Sequence, residues 1–279
     1  MTVGPPNLPR MSRRVRFSGG NGFDLAGIVD VAIQGRTAST IHPILVFSHC
    51  FTCNKDLKAI VRISRMLAEA GATVLRFDMT GLGGSDGDFS WTNFSTNVAD
   101  LRAAIRFANR ELGPVTGLIG HSFGGAAVLA VAGDPQDAAQ SLHAIATLAA
   151  PSDTQHLASL LERKNSSIVS AGVGDVEIGG RTWTIRREMT ADFRSHNLGA
   201  FITRIILPLM VIHSPTDETV GFDQALRIYQ LASVRPPGAT APPVSLVALD
   251  RADHLLGNRT EDLAYVAELL SAFFKRHHS

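Results

Sequence analysis

The sequence predicts an α/β protein built on a mostly parallel sheet covered by helices on both faces. Three observations carry this. Short runs that are apolar on both faces recur at 43–47 (PILVF), 73–77 (TVLRF), 115–119, 144–148 (AIATL) and 209–213 (LMVIH). Stretches of helical periodicity separate them, and glycine or proline punctuates the joins. Strands buried on both faces read as continuous apolar runs, and their alternation with helices implies parallel crossovers.

In order, 14–17 and 23–33 read as two strands around the turn Gly19-Gly20-Asn21-Gly22, an antiparallel hairpin at the sheet edge. Residues 57–70 (LKAIVRISRMLAEA) have helical period and stop at Gly71. A glycine-rich loop at 81–87 leads to a helix at 97–112 that Gly113-Pro114 ends. Helices at 123–132, 222–232 and 264–274 and a last strand at 245–249 complete the alternation. Between Ala150 and Leu207 it breaks, leaving a helix near 155–163 and a hairpin at 175–186 turning at Gly179-Gly180. A connection that long in a compact domain reads as a functional lid or as a floppy insertion. The organisation expected is therefore a single domain, with a loose proline-containing tail at 1–12 and a cap inserted at 151–206. The alternating VEIGGRTWTI and Trp183 favour an ordered cap near the substrate pocket. Pro236-Pro237 and Pro242-Pro243 mark a surface loop.

With 279 residues, 26 Lys+Arg against 25 Asp+Glu and no sustained basic stripe, the chain lacks the electrostatic footprint of a nucleic-acid or anionic-membrane binder. No window approaches the roughly 18 apolar residues of a membrane span. The first twenty residues hold no apolar stretch of secretory length, so a cytoplasmic protein is expected. Cys50 and Cys53 are too few for a disulfide framework and too close together to staple distant parts of the chain, which fits a reducing compartment. Their C-x-x-C spacing invites a thiol-redox reading; the alternative is that they are small buried apolar residues. No cysteine or spaced histidine pair completes a metal site, and Asp86-Gly87-Asp88 is a turn rather than a calcium loop.

The chemical signal is Gly120-His121-Ser122-Phe123-Gly124, set between an apolar strand and an Ala-rich helix. That is the context of a nucleophile elbow, in which a strained serine projects from the sheet and the next residue's amide faces a developing oxyanion. A serine hydroxyl needs a base, and the base a carboxylate. His254, just beyond the last strand in Asp250-Arg251-Ala252-Asp253-His254, is the base candidate. Asp217, after LMVIH, is the acid candidate, with Asp153 its rival; Asp253 is expected to point the other way along its loop. The chain order Ser122, Asp217, His254 is the order this elbow motif requires.

At the elbow and at Ser48-His49-Cys50-Phe51-Thr52-Cys53 the chain resembles the α/β-hydrolase family. That resemblance implies an α/β-hydrolase fold with an eight-stranded sheet and makes the Phe51 amide, with that of Phe123, an oxyanion donor. Cys50 stands where glycine is usual. The loop Phe77-Asp78-Met79-Thr80-Gly81-Leu82-Gly83-Gly84-Ser85 is similar to the family's Asp-x-x-Gly-x-Gly-x-Ser loop, Ser214-Pro215-Thr216-Asp217 to its acid loop, and Ala252-Asp253-His254 to its base loop. More narrowly, SHCFTCNKDLKAIVRISRMLAEAG, RFDMTGLGGSDGDF and VEIGG are similar to the hydrolase half of bacterial proteins in which an α/β-hydrolase is fused to an OsmC-like peroxidase domain. Those fusions continue past the hydrolase, so the resemblance implies a stand-alone relative or an excised domain. The activity expected is a carboxylesterase acting on a small-molecule acyl substrate without cofactor or metal. Thioesterase, peptidase or amidase chemistry on the same residues is an alternative, as is an accessory module for an OsmC-like partner.

Overall fold

The expected edge hairpin is present as β1 (Ser12–Ser18) and β2 (Asp24–Asp30), paired antiparallel with Phe17 opposite Leu25. The computed structural model describes residues 12–32, 42–134, 141–234 and 240–278. The expected tail at 1–12 lies outside them except for Ser12, which is not tail but the first residue of β1. Pro236-Pro237 also lie outside. β2 ends at Asp30, the last residue to pair with β4, and Ile33, the expected end, lies outside the described residues.

Five strands fall where apolar runs predict them, at or within two residues: β3 (Ile44–Ser48), β4 (Thr73–Phe77), β5 (Gly117–His121), β6 (Ala144–Leu148) and β9 (Leu209–His213). The last, β10 (Val244–Ala248), begins one residue early. Among the described residues eight strands form one sheet in the order β1-β2-β4-β3-β5-β6-β9-β10, antiparallel only at β1–β2 and β2–β4. Successive side chains of a strand point to opposite faces. Leu45 and Phe47 therefore pack with Ile119, Leu148 and Ile212 under α1 (Lys58–Glu69) and α9 (Thr260–Arg276). Val46, Leu118, Ile145 and Val211 face the opposite core, closed by α2 (Phe94–Glu111), α3 (Phe123–Gly133) and α8 (Phe222–Ser233).

Helix α2 starts three residues before its apolar period does. Asn93 accepts the Thr96 amide while Thr96 Oγ1 accepts the Asn93 amide, and this reciprocal cap fixes the first turn. In α9 the polar first turn Thr260-Glu261-Asp262 hides the start in the same way.

The interval between β6 and β9 is ordered. It carries α4 (Gln155–Lys164), a short turn of helix α5 (Ser167–Ser170), the hairpin β7 (Val173–Ile178) and β8 (Arg181–Arg186), then α6 (Arg187–Ser195) and α7 (Leu198–Ile202). The hairpin forms a separate two-stranded sheet. The last three of these helices were not anticipated, since each is too short to show a helical period. Asp192 on α6 ties the segment to the body by capping α2, accepting from the Phe94 and Ser95 amides at 2.8 and 3.2 Å and from Ser95 Oγ at 2.6 Å. A second tie is the Arg186 guanidinium, 3.7 Å over the exposed Trp91 ring.

Candidate active site

The turn from β5 into α3 brings two segments of chain very close. A Cβ on Gly120 would lie 2.4 Å from the Gly124 carbonyl oxygen, and one on Gly124 would lie 2.5 Å from the Ser48 carbonyl oxygen. Only glycine fits at both. Between them Ser122 is held at φ 53°, ψ −121°, a left-handed conformation costly for a residue with a Cβ. Its amide donates to Leu148 O of the neighbouring strand.

Ser122, His254 and Asp217 come from the loops after β5, β10 and β9 and meet in one line. His254 Nε2 lies 2.9 Å from Ser122 Oγ and His254 Nδ1 lies 2.8 Å from Asp217 Oδ2. A carboxylate only accepts, so Nδ1 carries the proton and Nε2 is free to take one from the serine. The second oxygen, Asp217 Oδ1, accepts the Thr219 and Val220 amides at 2.8 and 2.9 Å. Burial alone would raise the Asp217 carboxyl; the His254 hydrogen bond and these amides outweigh it and hold the group below the usual carboxylate range. The rival Asp153 is engaged elsewhere, accepting the His156 amide at 3.0 Å and lying 3.9 Å from Arg227. Asp253 does turn away, binding the Gly257 amide.

Phe51 and Phe123 flank the serine, their rings 5.5 Å apart. Neither N–H has an acceptor among the described residues. Phe123 opens α3, so its amide lies at the positive end of the helix. Phe51 sits at the tip of the loop after β3, where the structure joins Cys50 to Cys53 in a disulfide. Sequence reasoning left this local bridge unassigned. Neither cysteine is the small free apolar residue of the alternative reading; Cys50 is buried and Cys53 half-buried.

The loop is braced from below by buried charge. Asp78 accepts the Lys55 amide at 2.6 Å, the Lys55 ammonium at 2.7 Å and the Gly84 amide at 2.8 Å. Gly83 is required here, because a Cβ would lie 2.2 Å from the Asp78 carboxylate. Arg76, paired with Asp30, reaches the Lys55 carbonyl at 2.9 Å.

Three histidines missed by sequence reasoning hold the three loops. His121 Nε2–H donates to the His254 carbonyl at 2.7 Å, and His213 Nε2–H to the Val220 carbonyl at 2.8 Å. His49 donates from Nδ1 to the Cys50 carbonyl at 2.8 Å and accepts the Met79 amide on Nε2 at 3.1 Å. Burial pushes all three below the ordinary imidazole range, His121 to about 3, where neighbouring His254 adds to the effect. The signal lay in the runs FSH, LIGH and VIH, each an apolar strand closing on histidine.

A cavity of about 610 Å³ opens over Ser122 and His254. Its walls include Phe51, Phe123, Leu157, Leu161 and Trp183, so the 151–206 segment does bring Trp183 to the site. Phe89 stacks edge-on against Trp183 with centroids 4.7 Å apart. Among the described residues no cluster of three or more His, Cys, Asp or Glu could hold a metal ion, and no helix is long and apolar enough to cross a membrane.

Comparison with known proteins agrees with this architecture. The esterase domain of a Rhodothermus marinus protein is 36% identical, with 96% of this chain and 100% of that one covered and a TM-score of 0.69. Est1E from Butyrivibrio proteoclasticus, solved with ferulic acid bound, is 21% identical over 94% of this chain and 98% of its own, with a TM-score of 0.76. The α/β hydrolase GrgF from a Penicillium species is 20% identical over 97% and 99%, with a TM-score of 0.71. At those lower identities the likeness is one of fold. No curated protein sequence matches the chain. The sequence profile of the family described as Serine aminopeptidase, S33 matches residues 42–198, more than half the chain, and the protein accordingly belongs to that family of α/β hydrolases.

Proposed function

We propose that the protein is a carboxylesterase that works through a Ser122–His254–Asp217 triad. The observation that carries the reading is the unbroken line from Asp217 Oδ2 through His254 to Ser122 Oγ, opening on a cavity beside two amides that have no acceptor among the described residues.

Ser122 Oγ attacks the ester carbonyl as His254 Nε2 takes its proton, and Asp217 stabilises the imidazolium that results. The Phe51 and Phe123 amides receive the oxyanion. His254 then protonates the departing alkoxide, leaving an acyl-serine. Water, deprotonated by the same nitrogen, cleaves it and returns the proton to Ser122. Every proton is accounted for within the triad, so the chemistry calls for no cofactor. The apolar walls suit a small to medium acyl group, and the segment at 151–206 acts as a cap that sets its length.

An ester fits better than a peptide with a free amino terminus. An exopeptidase has to neutralise its substrate's ammonium, and of the carboxylates on the cavity wall Asp153 is already turned to His156 and Arg227 while Glu177 is exposed. The full-length likeness to an esterase domain points the same way. Thioester cleavage needs no change in the machinery. Nothing in the site favours an accessory role for an OsmC-like partner. A cytoplasmic location belongs to the proposal.

The test is reaction with a fluorophosphonate read by intact mass. One adduct is expected on the wild type and none on Ser122→Ala or His254→Ala; a folded wild-type protein that takes no adduct would sink the mechanism. Among p-nitrophenyl esters, trimming 175–186 should shift the preferred acyl length.

A further inference from the structure

We propose that the Cys50–Cys53 disulfide is a redox-responsive brace of the oxyanion loop, through which a dithiol reductant lowers turnover at Ser122. The inference rests on the hydrolase reading above and deepens it by adding a means of regulation.

The bridge closes a ring containing Phe51, whose amide is one of the two oxyanion donors, and Thr52, held at a left-handed φ of 59°. Within that ring one backbone hydrogen bond supports the turn, Cys53 N–H to Cys50 O at 3.2 Å. The flanks are anchored separately. His49 grips the Cys50 carbonyl, and Asp78 grips Lys55 through both its amide and its ammonium. The Phe51 ring packs against Phe89, Phe123 and Phe193, so opening the bridge leaves the ends of the loop and this ring in place and loosens the backbone between them, which carries the Phe51 amide. A ring this short also restrains the unfolded chain little, so the bridge adds little to global stability by chain entropy. Its effect falls on the local geometry of Phe51.

Access is the second requirement. Both cysteines line the cavity above Ser122, and Cys53 is half-exposed, so a reductant entering by the substrate's route meets a sulfur. In a reducing compartment a disulfide is usually transient and redox-sensing rather than structural. The step balances as thiol–disulfide exchange. A thiolate of the dithiol attacks Cys53 Sγ and Cys50 leaves as thiolate; the second thiol of the reductant resolves the mixed disulfide. The products are two protein thiols and one oxidised dithiol. Losing a single oxyanion donor costs about 10²–10³ in kcat, so a donor that stays present but is no longer fixed should cost about tenfold, with little change in KM.

The experiment uses the full chain. Alkylation with iodoacetamide and intact mass count the thiols before dithiothreitol, after it and after reoxidation with glutathione disulfide. Each form is assayed for kcat and KM on a short p-nitrophenyl ester and for its rate of fluorophosphonate labelling. Expected are no thiols, then two, then none, with kcat and labelling falling about tenfold and recovering. The double variant Cys50→Ala, Cys53→Ala should sit at the reduced level and ignore dithiothreitol. Equal kcat and equal labelling with both thiols alkylated would overturn the brace while leaving the hydrolase intact. So would a bridge that resists reduction in the folded protein, or one that never forms. A chain never labelled at Ser122 in any form would overturn both readings. The reversible cycle needs no variant, so a misfolding double mutant leaves the test standing.

Discussion

His121 and His254 are 133 residues apart in sequence and one hydrogen bond apart in space: the imidazole next to the elbow serine holds the backbone carbonyl of the histidine that faces that serine. His254 is thus positioned twice, on its ring by Asp217 and on its main chain by His121. Replacing His121 by Ala removes the second hold. We expect kcat to fall about tenfold with KM nearly unchanged, since small misplacements of a reacting group are costly. His121→Gln, which keeps a donor of similar reach, should recover most of the loss. Steady-state kinetics of the two variants decide it, and equal activity in His121→Ala would show that the carbonyl contact positions nothing.

Acid should destabilise the protein through its buried imidazoles. A histidine held below its unfolded pKa is neutral in the folded chain and protonated in the unfolded one, so stability falls as pH drops below the unfolded value near 6.5. For His121 the loss continues down to about 3. At pH 5 that single group costs about 2 kcal/mol, and His49 and His213 act in the same direction. Asp217, held low, adds its own loss only at more acid pH. Urea midpoints measured from pH 8 to pH 4 should decline steeply, and less steeply in His121→Gln.

The Asp217→Asn variant should keep its fold and lose catalysis. The side-chain oxygen can still accept the Thr219 and Val220 amides, while the new NH₂ faces His254 Nδ1 and forces the proton onto Nε2. A base in that tautomer cannot take the serine proton, and a drop of about 10⁴ in kcat is expected. Ester hydrolysis beside far-UV circular dichroism checks both halves of the claim.

Asp192→Ala should loosen the 151–206 segment without touching the triad. It strips the Phe94 and Ser95 amides and Ser95 Oγ of their acceptor. Loss of such a cap costs about 1–2 kcal/mol. KM for longer acyl chains should rise more than kcat falls, and amide exchange should quicken in 155–195 before it does in the central sheet.

Reading the sequence found β3, β4, β5, β6 and β9 because these strands are buried on both faces. Ser122 and Asp217 were legible for a related reason, each following such a strand by a few residues, whereas His254 follows β10, whose residues are half-buried or exposed, and stood out by its loop and its place in the chain order. Helix starts were less legible: Asn93 and Thr96 cap α2 through a reciprocal pair of hydrogen bonds that no apolar period records. The bracing groups were illegible as chemistry. Lys55 meets Asp78, and Arg76 meets Asp30 and Lys55, only after strands distant in sequence are aligned. His49 and His121 looked ordinary because each meets a partner from a different loop, Met79 and His254, and His213 because its partner, the Val220 carbonyl, is reached only once the loop after β9 folds back.

The chain leaves β6 above the cavity and re-enters the sheet at β9, the adjacent strand. Its return is made by α7, packed so tightly that a Cβ on Gly133 of α3 would lie 2.1 Å from the Phe201 carbonyl oxygen. The covering part of the segment, α4 to α6, is therefore separable from the part that closes the fold. Apart from the ties that Arg186 and Asp192 make to the body, its length and lining can vary while strand register and the places of Ser122, His254 and Asp217 are kept. An exchange of 155–195 between relatives that keeps Arg186 and Asp192 is accordingly expected to change acyl preference while the proposed triad stays as it is.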